Sequence, residues 1–486
     1  MRYKKMVALF LILVFTAAII AGCSPVERGF YELVKEVSNS NSYEFKGSME
    51  VTVEQLPQGA FKGSPAITED VFKQMVNNNR LEYQGRVDYN QGVLLYQFTL
   101  VDKTTNAQTA LTTVILKDNK IYLKVDDLIN YIGKWSSGEE KQKLDEVFKG
   151  VEYLCISSQE IQEQIKLPPG SPSLWGNNIL RESKETHSLY MSLYDKLVYD
   201  AYGKYSGNLI TKDGNRYKVS LRFADAGKAF EPLAVYTINN IYQVGTVLKS
   251  FFSGLSDNEL ERLKLSREVN ESIVSGIDDM IDDVELNRTD YLDKLGKGVD
   301  EVNAELAKNL GDSGFEMTLE KKDSRTYESS AKINLNLTDM SDSLKLVLST
   351  QDSSTVGVDV KVEAPSNFIT YSELKQRMPV KLSFNIDEGN YSQEGLFGKD
   401  TLPFSGVKVI NGKSYLPLRK TADLLGLRVG WNSTLEKAYI EINGEHRYVE
   451  GELVDGVTYI KAIEFGQLGY SVSWDETARA VVIQKN

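Results

Sequence analysis

The chain has 486 residues, of which 41% are hydrophobic and 26% charged, a balance that fits several globular domains and excludes both a disordered polymer and a protein of repeated membrane spans. Its 68 acidic residues against 56 basic ones leave a formal net charge of -12, which excludes nucleic acid as a partner, because phosphates demand basic patches. The signatures of phosphate loops, dinucleotide folds, HExxH zinc sites and nucleophile elbows are all missing from the sequence.

At the N-terminus, Arg2, Lys4 and Lys5 precede an apolar run from Met6 to Ile20 that ends in small residues before Cys23. This is the layout of a secretory signal, too short and wrongly flanked for a membrane span. The stretch IIAGCS resembles the lipobox of bacterial lipoproteins, in which the cysteine is acylated and becomes the first residue. The resemblance implies that residues 1–22 are a signal peptide, that Cys23 is the lipid attachment site, and that residues 23–41 form a tether. It places the mature chain outside the cytoplasmic membrane and anchored to it. With Cys23 acylated, one cysteine is left and no intramolecular disulfide forms. That cysteine, Cys155, lies in the apolar run VEYLCISS and is expected as a small buried hydrophobe in a strand.

From Ser42 to about Trp135, apolar and polar residues alternate in runs such as YEFKGSMEVTVEQL and VLLYQFTLVD, separated by turn residues, which predicts an antiparallel meander. Val114 and Leu116, then Ile121, Leu123 and Val125, mark faces that bury against a helix or enclose a cavity. An amphipathic helix carrying Ile179, Tyr190, Leu193 and Leu197 on one side follows the proline-rich 167–177, and strands return around the tight turn TKDGNR. Residues 42–250 therefore read as one antiparallel sheet with helices. Between 256 and 311 acidic residues outnumber basic ones about two to one, with apolar residues at helical spacing, including Ile277, Ile281 and Val284 and then Leu295, Val299 and Val302, which predicts a pair of acidic amphipathic helices. Residues 312–386 alternate again and read as a β-rich segment, either half of the first domain or a domain related to it. The Gly-rich stretch 387–406 reads as a linker.

The last part repeats itself. In NGKSYLPLRKTADLLGLRVGWN and DGVTYIKAIEFGQLGYSVSWD, Gly412 and Tyr415 recur at Gly456 and Tyr459, and Leu425-Gly426 and Trp431 recur at Leu468-Gly469 and Trp474. A fixed period reports a unit whose apolar face is buried by its neighbour. Each repeat reads as a tight Asn-Gly or Asp-Gly turn, a strand, and a short helix, begun by Pro417 in the first repeat and closed by glycine in both. Residues 407–486 resemble the copper amine oxidase N-terminal-like domain, or stalk domain, found in many bacterial surface proteins. The resemblance implies a small α+β domain that lies away from any catalytic centre. It does not imply copper, since the oxidases use three histidines where this chain has only His187 and His446, both expected at the surface.

Trp431 and Trp474 are expected as core plugs that recur because the fold recurs, with an aromatic platform for a sugar or peptide as the alternative; Tyr415 and Tyr459 complete this candidate binding set. The helical carboxylates Asp278, Asp279, Asp282 and Asp283 are expected on a solvated face rather than around Ca2+. No carboxylate pair is singled out for glycoside hydrolysis. The sequence thus points to an α+β, multidomain, lipid-anchored envelope protein without catalytic residues, metal or cofactor, acting as a binding or spacer module. Its partners are the membrane through Cys23 and a cell-wall polymer or envelope protein. The alternatives are a carrier of a lipid or other hydrophobic small molecule in a cavity of the N-terminal domain, by analogy with half-barrel lipoproteins, and a wall-active hydrolase.

Overall fold

A computed structural model describes residues 24–57, 68–134, 138–157, 160, 179–338, 343–378, 381–395, 398–442 and 445–485. Residues 1–23, Cys23 among them, and the whole proline-rich stretch 167–177 lie outside the described residues. The chain is α+β and divides into two compact units, the first built from residues 1–121 and 170–364 and the second from residues 122–169 and 365–486.

In the first unit the described chain opens with helix α1 (Pro25–Asn39). Ser24 caps it, accepting from the Glu27 amide while Glu27 accepts from the Ser24 amide, and Pro25 occupies the first turn where its missing N–H costs nothing. Residues 25–39 are therefore not a tether. Phe30 and Leu33 are buried against Ile210, Tyr217, Val219 and Leu319, so the apolar spacing of this helix serves the core.

Strands β1 (Ser42–Gln55), β2 (Asn79–Asp88), β3 (Val93–Asp102) and β4 (Gln108–Lys117) form the expected meander, with helix α2 (Glu69–Asn77) between the first two. Helix α3 (Ile179–Lys196) runs on into a π-helical turn at Leu197–Ala201. It buries Leu193 and Leu197 as expected, but Tyr190 faces solvent. Strands β5 (Ile210–Asp213) and β6 (Arg216–Arg222) follow, joined through Gly214 in the left-handed region. Then come helices α4 (Ala226–Asn239), α5 (Ile241–Ser253), α6 (Asp257–Arg262), α7 (Arg267–Leu286) and α8 (Arg288–Leu310).

The acidic pair α7 and α8 buries Ile277, Ile281, Val284 and Val299, while Val302, expected on the same stripe, is exposed. Gly245 lets α5 approach α7 so closely that a Cβ there would stand 2.4 Å from Ile281 Cδ1. Strands β7 (Gly314–Lys321), β8 (Thr326–Thr338) and β9 (Ser343–Val356) complete the unit.

The two β regions on either side of the helices are halves of one antiparallel sheet, in the order β4-β3-β2-β1-β9-β8-β7-β6-β5. The seam is the long ladder between β1 and β9, running from Tyr43 opposite Val356 to Gln55 opposite Lys345. Sequence alternation specifies strands but not partners. First and last strands meet here because each half would otherwise expose its longest edge.

The second unit gathers residues the sequence assigns to three different segments. The strand Tyr153–Ser157, which carries the buried Cys155, pairs in parallel with Phe368–Thr370, and the helices Val125–Ile132 and Tyr371–Arg377 pack on it through Val125, Leu154, Ile369 and Leu374. The stretch 387–406 is not a linker. Its strands Asn390–Gly395 and Gly398–Pro403 extend a five-stranded sheet through Lys381–Asn385 to the C-terminal strands Ala480–Gln484 and Ser471–Asp475. Tyr391 and Phe404 are buried there against Phe384, with ring centroids 5.9 and 4.7 Å away. Gly389, which makes the stretch look like loop, supplies the positive φ of a tight turn instead.

The repeat is a structural repeat. Asn411-Gly412 and Asp455-Gly456 both sit at positive φ in two-residue turns, and the strands that follow them, Lys413–Pro417 and Val457–Lys461, pair with each other across the repeat axis. Gly426 and Gly469 close the helices Leu418–Leu424 and Glu464–Gln467 in the left-handed region. Pro417 ends the strand and caps the first helix rather than opening its first turn, and the second helix, lacking that proline, is the shorter. Asn432 and Asp475 each hold the next hairpin through two backbone amides.

Candidate functional site

Because side chains alternate across a strand, the register of the first unit sorts its sheet into two faces. On one, Tyr217, Val219, Leu319 and Tyr327 meet α1, and the same face continues over β1 to β3 as a strip of half-buried rings, Tyr43, Phe45, Tyr83, Tyr96 and Phe98. Tyr96 touches Phe45 and Phe98 at centroid distances of 5.0 and 4.3 Å. Tyr83 donates to Asp352, and burial followed by that bond pushes its phenol well above the ordinary range.

The opposite face is polar. It forms a trough of about 840 Å³ that runs from Gln108 on β4 to Arg216 on β6, and a second trough of about 470 Å³ includes Lys332, Asn334 and Lys345 of β8 and β9. Side chains from strands near opposite edges line one trough, so the sheet curls towards this face.

Amides and hydroxyls dominate the lining of the larger trough. Gln84 donates to Gln97 at 3.0 Å, and the hydroxyls of Thr318 and Ser330 are 2.8 Å apart. Gln108, Gln351, Ser48 and Ser353 add groups that both donate and accept. Arg216 lies 2.9 Å from Glu320, and Lys322 lies 3.1 Å from both Glu320 and Glu328. The hydrogen bonds from Lys322 and then Arg216 hold the Glu320 carboxyl below the usual carboxylate range, and Asn336 does the same for Asp312 in the smaller trough. Both shifts run opposite to what a general acid needs.

The candidate binding residues of the second unit divide. Trp431 and Trp474 are 59% and 42% exposed, which corrects the expectation of core plugs. Each sits at the end of its strand opposite a core residue, Ala438 and Val481, and the interior is already filled by Ile440 and Ile483. Tyr415 and Tyr459 are buried. The Tyr415 hydroxyl donates to Glu452 at 3.1 Å, and the Lys408 ammonium lies 4.6 Å from the centre of the Tyr459 ring. The two tryptophans are therefore accessible to a partner and the two tyrosines hold the sheet.

His446 is exposed as expected and stacks on Tyr439 at 3.9 Å, and Tyr448 lies edge-on to Tyr439 at 6.0 Å. His187 is half-buried rather than at the surface, and burial, followed by the Lys184 charge, lowers its pKa. Asp278 pairs with Lys249 at 2.6 Å, and among the described residues no cluster of metal-ligating side chains occurs.

Sequence reasoning missed the trough, since polar positions in half-buried strands read as solvated. The available signal was the choice of residue: Gln84, Gln97, Gln108 and Gln351 with Ser and Thr, where a plain solvated face favours Lys and Glu. No family model, curated protein or solved structure matches this chain.

Proposed function

We propose that the chain is a non-catalytic, lipid-anchored protein of the bacterial cell envelope that acts as a binding and spacer module, taking a polar, extended wall polymer in the trough of its first unit. The observation that carries this reading is the trough's lining. Its four glutamines, with serines and threonines, present donors and acceptors together, which complement the hydroxyls and amides of a glycan or peptide strand. The downward shift at Glu320 speaks against a hydrolase acid at that site. The exposed Trp431 and Trp474 offer flat apolar surfaces suited to a sugar ring, a second contact for the same class of ligand.

The test is calorimetric titration of the full chain, made soluble by Cys23→Ser, with soluble wall fragments. Gln97→Leu with Gln351→Leu removes two bonding groups worth about 1 kcal/mol each, so affinity falls roughly tenfold or more. Binding indifferent to both substitutions would sink the trough as the site.

The half-buried aromatic strip supports a second reading, the carrier of a hydrophobic small molecule, since Tyr43, Phe45, Tyr96 and Phe98 leave apolar surface on the first unit. Phe45→Ser with Tyr96→Ser would abolish retention of a hydrophobic dye on that reading and leave wall-fragment binding intact.

A further inference from the structure

We infer that the surface around the N-terminus of α1 docks directly onto a phospholipid headgroup layer, so that the first unit is held against the membrane rather than swinging on a leash. This rests on the reading of Cys23 as the lipid attachment site. One peptide link, about 3.8 Å between Cα atoms, separates Cys23 from Ser24. Ser24 itself is fixed by its capping box with Glu27, which is 4% exposed and accepts from the Gly207 amide at 3.2 Å. The buried Phe30, Tyr31 and Leu33 then bind the helix to the unit. A flexible tether reaches about 5–6 Å times the square root of its length, and here no such segment follows the anchor.

The side chains gathered around that point suit a headgroup layer. Gly207, in the segment 203–208, donates its amide to Glu27 in the first turn of α1, and the Arg28 guanidinium stands 5.6 Å over the ring of Tyr199. Gln243 donates to the carbonyl of Asp200, next to Tyr199, which brings the first turn of α5 and Tyr242 alongside. Tyr199 is 37% exposed, Tyr242 is 65% exposed, and Lys204 is exposed between them in sequence. Tyrosine rings and long basic side chains are the residues that settle at the membrane interface, an apolar body below and a polar tip in the headgroups. Arg28 and Lys204 stand here beside three carboxylates, Glu32, Asp200 and the buried Glu27 that accepts from the Ser24 and Gly207 amides.

The test compares amide hydrogen exchange of the lipidated full chain in vesicles of phosphatidylethanolamine and phosphatidylglycerol with that of the Cys23→Ser chain in solution. Docking predicts slower exchange in residues 203–208 and the first turn of α5 and no change in β7 and β8. A lipidated chain with about 20 Gly/Ser residues inserted between Cys23 and Ser24 has slack enough to leave the surface and returns to the solution rate. Tyr242→Ser, at a side chain too exposed to matter for folding, raises the rate part of the way. A chain that floats with the vesicles yet exchanges everywhere at the solution rate overturns the docking and leaves the anchor standing. A chain that does not float with them overturns the anchor, and the docking with it.

Discussion

Replacing Phe30 with Ala asks whether the residues next to the proposed anchor at Cys23 belong to the folded body. Phe30 is 1% exposed and its ring centroid lies 5.9 Å from that of Tyr217, inside the cluster that joins α1 to β5, β6 and β7. Burying a phenylalanine side chain is worth about 1.5–3 kcal/mol of transfer. The cavity left behind raises the cost of Phe→Ala to about 3–5 kcal/mol. At roughly 2–4 °C per kcal/mol, the melting transition of the first unit should fall by about 6–20 °C. The assay is differential scanning calorimetry of the Cys23→Ser chain with and without Phe30→Ala, the second unit's transition serving as internal control. A fall of less than about 2 °C would mean that α1 is loosely held, and the short-anchor geometry would go with it.

Other substitutions probe other parts of the account. Trp431→Ala and Trp474→Ala should each change stability by no more than about 0.5 kcal/mol in urea denaturation, because exposed side chains carry little packing, whereas core plugs would cost about 3–5 kcal/mol. Gly245→Ala drives a Cβ to within 2.5 Å of both Ile281 Cγ1 and Cδ1 and should cost about 1–3 kcal/mol. Gly276→Ala, on the same helix as Ile281 but with no atom within 4 Å, should gain about 0.5–1 kcal/mol of helix propensity instead.

His187 binds its proton less tightly folded than unfolded, so the stability linked to it is complete above its unfolded pKa and is lost as pH falls below that value. Melting temperatures between about pH 5 and 8 should show that slope in the parent chain and lose it in His187→Gln. Thr421 is fully buried and its hydroxyl has no hydrogen-bond partner among the described residues, so Thr421→Val should be neutral or stabilising by up to about 1 kcal/mol in chemical denaturation.

The elements of this fold were mostly legible from local pattern, and their partners were not. Tyr415 and Tyr459, with the Asn-Gly and Asp-Gly turns before them, revealed the repeat because turn chemistry and strand alternation are properties of neighbouring residues. The pairing of β1 with β9 joins residues some three hundred positions apart, and no local rule encodes it. Residues 387–406 were misleading for a different reason. Gly389 and the short polar residues give them a loop's composition, while the two aromatics that bury them, Tyr391 and Phe404, are isolated in sequence and meet only in the core. Residues 25–39 show the reverse case. The capping pair Ser24 and Glu27 stands in the sequence, but proximity to the proposed lipid site suggests a tether and hides the helix. Recurrence of the tryptophans suggests an interior position, but recurrence fixes equivalent positions without fixing burial.

The most direct test of the account is native mass spectrometry of the mature chain extracted from its own envelope in mild detergent. The account predicts a chain beginning at Cys23, carrying covalent acyl mass and no further lipid held without a bond. A stoichiometric non-covalent lipid adduct, displaced by Phe45→Ser with Tyr96→Ser, would contradict the binding and spacer reading and make this protein a carrier.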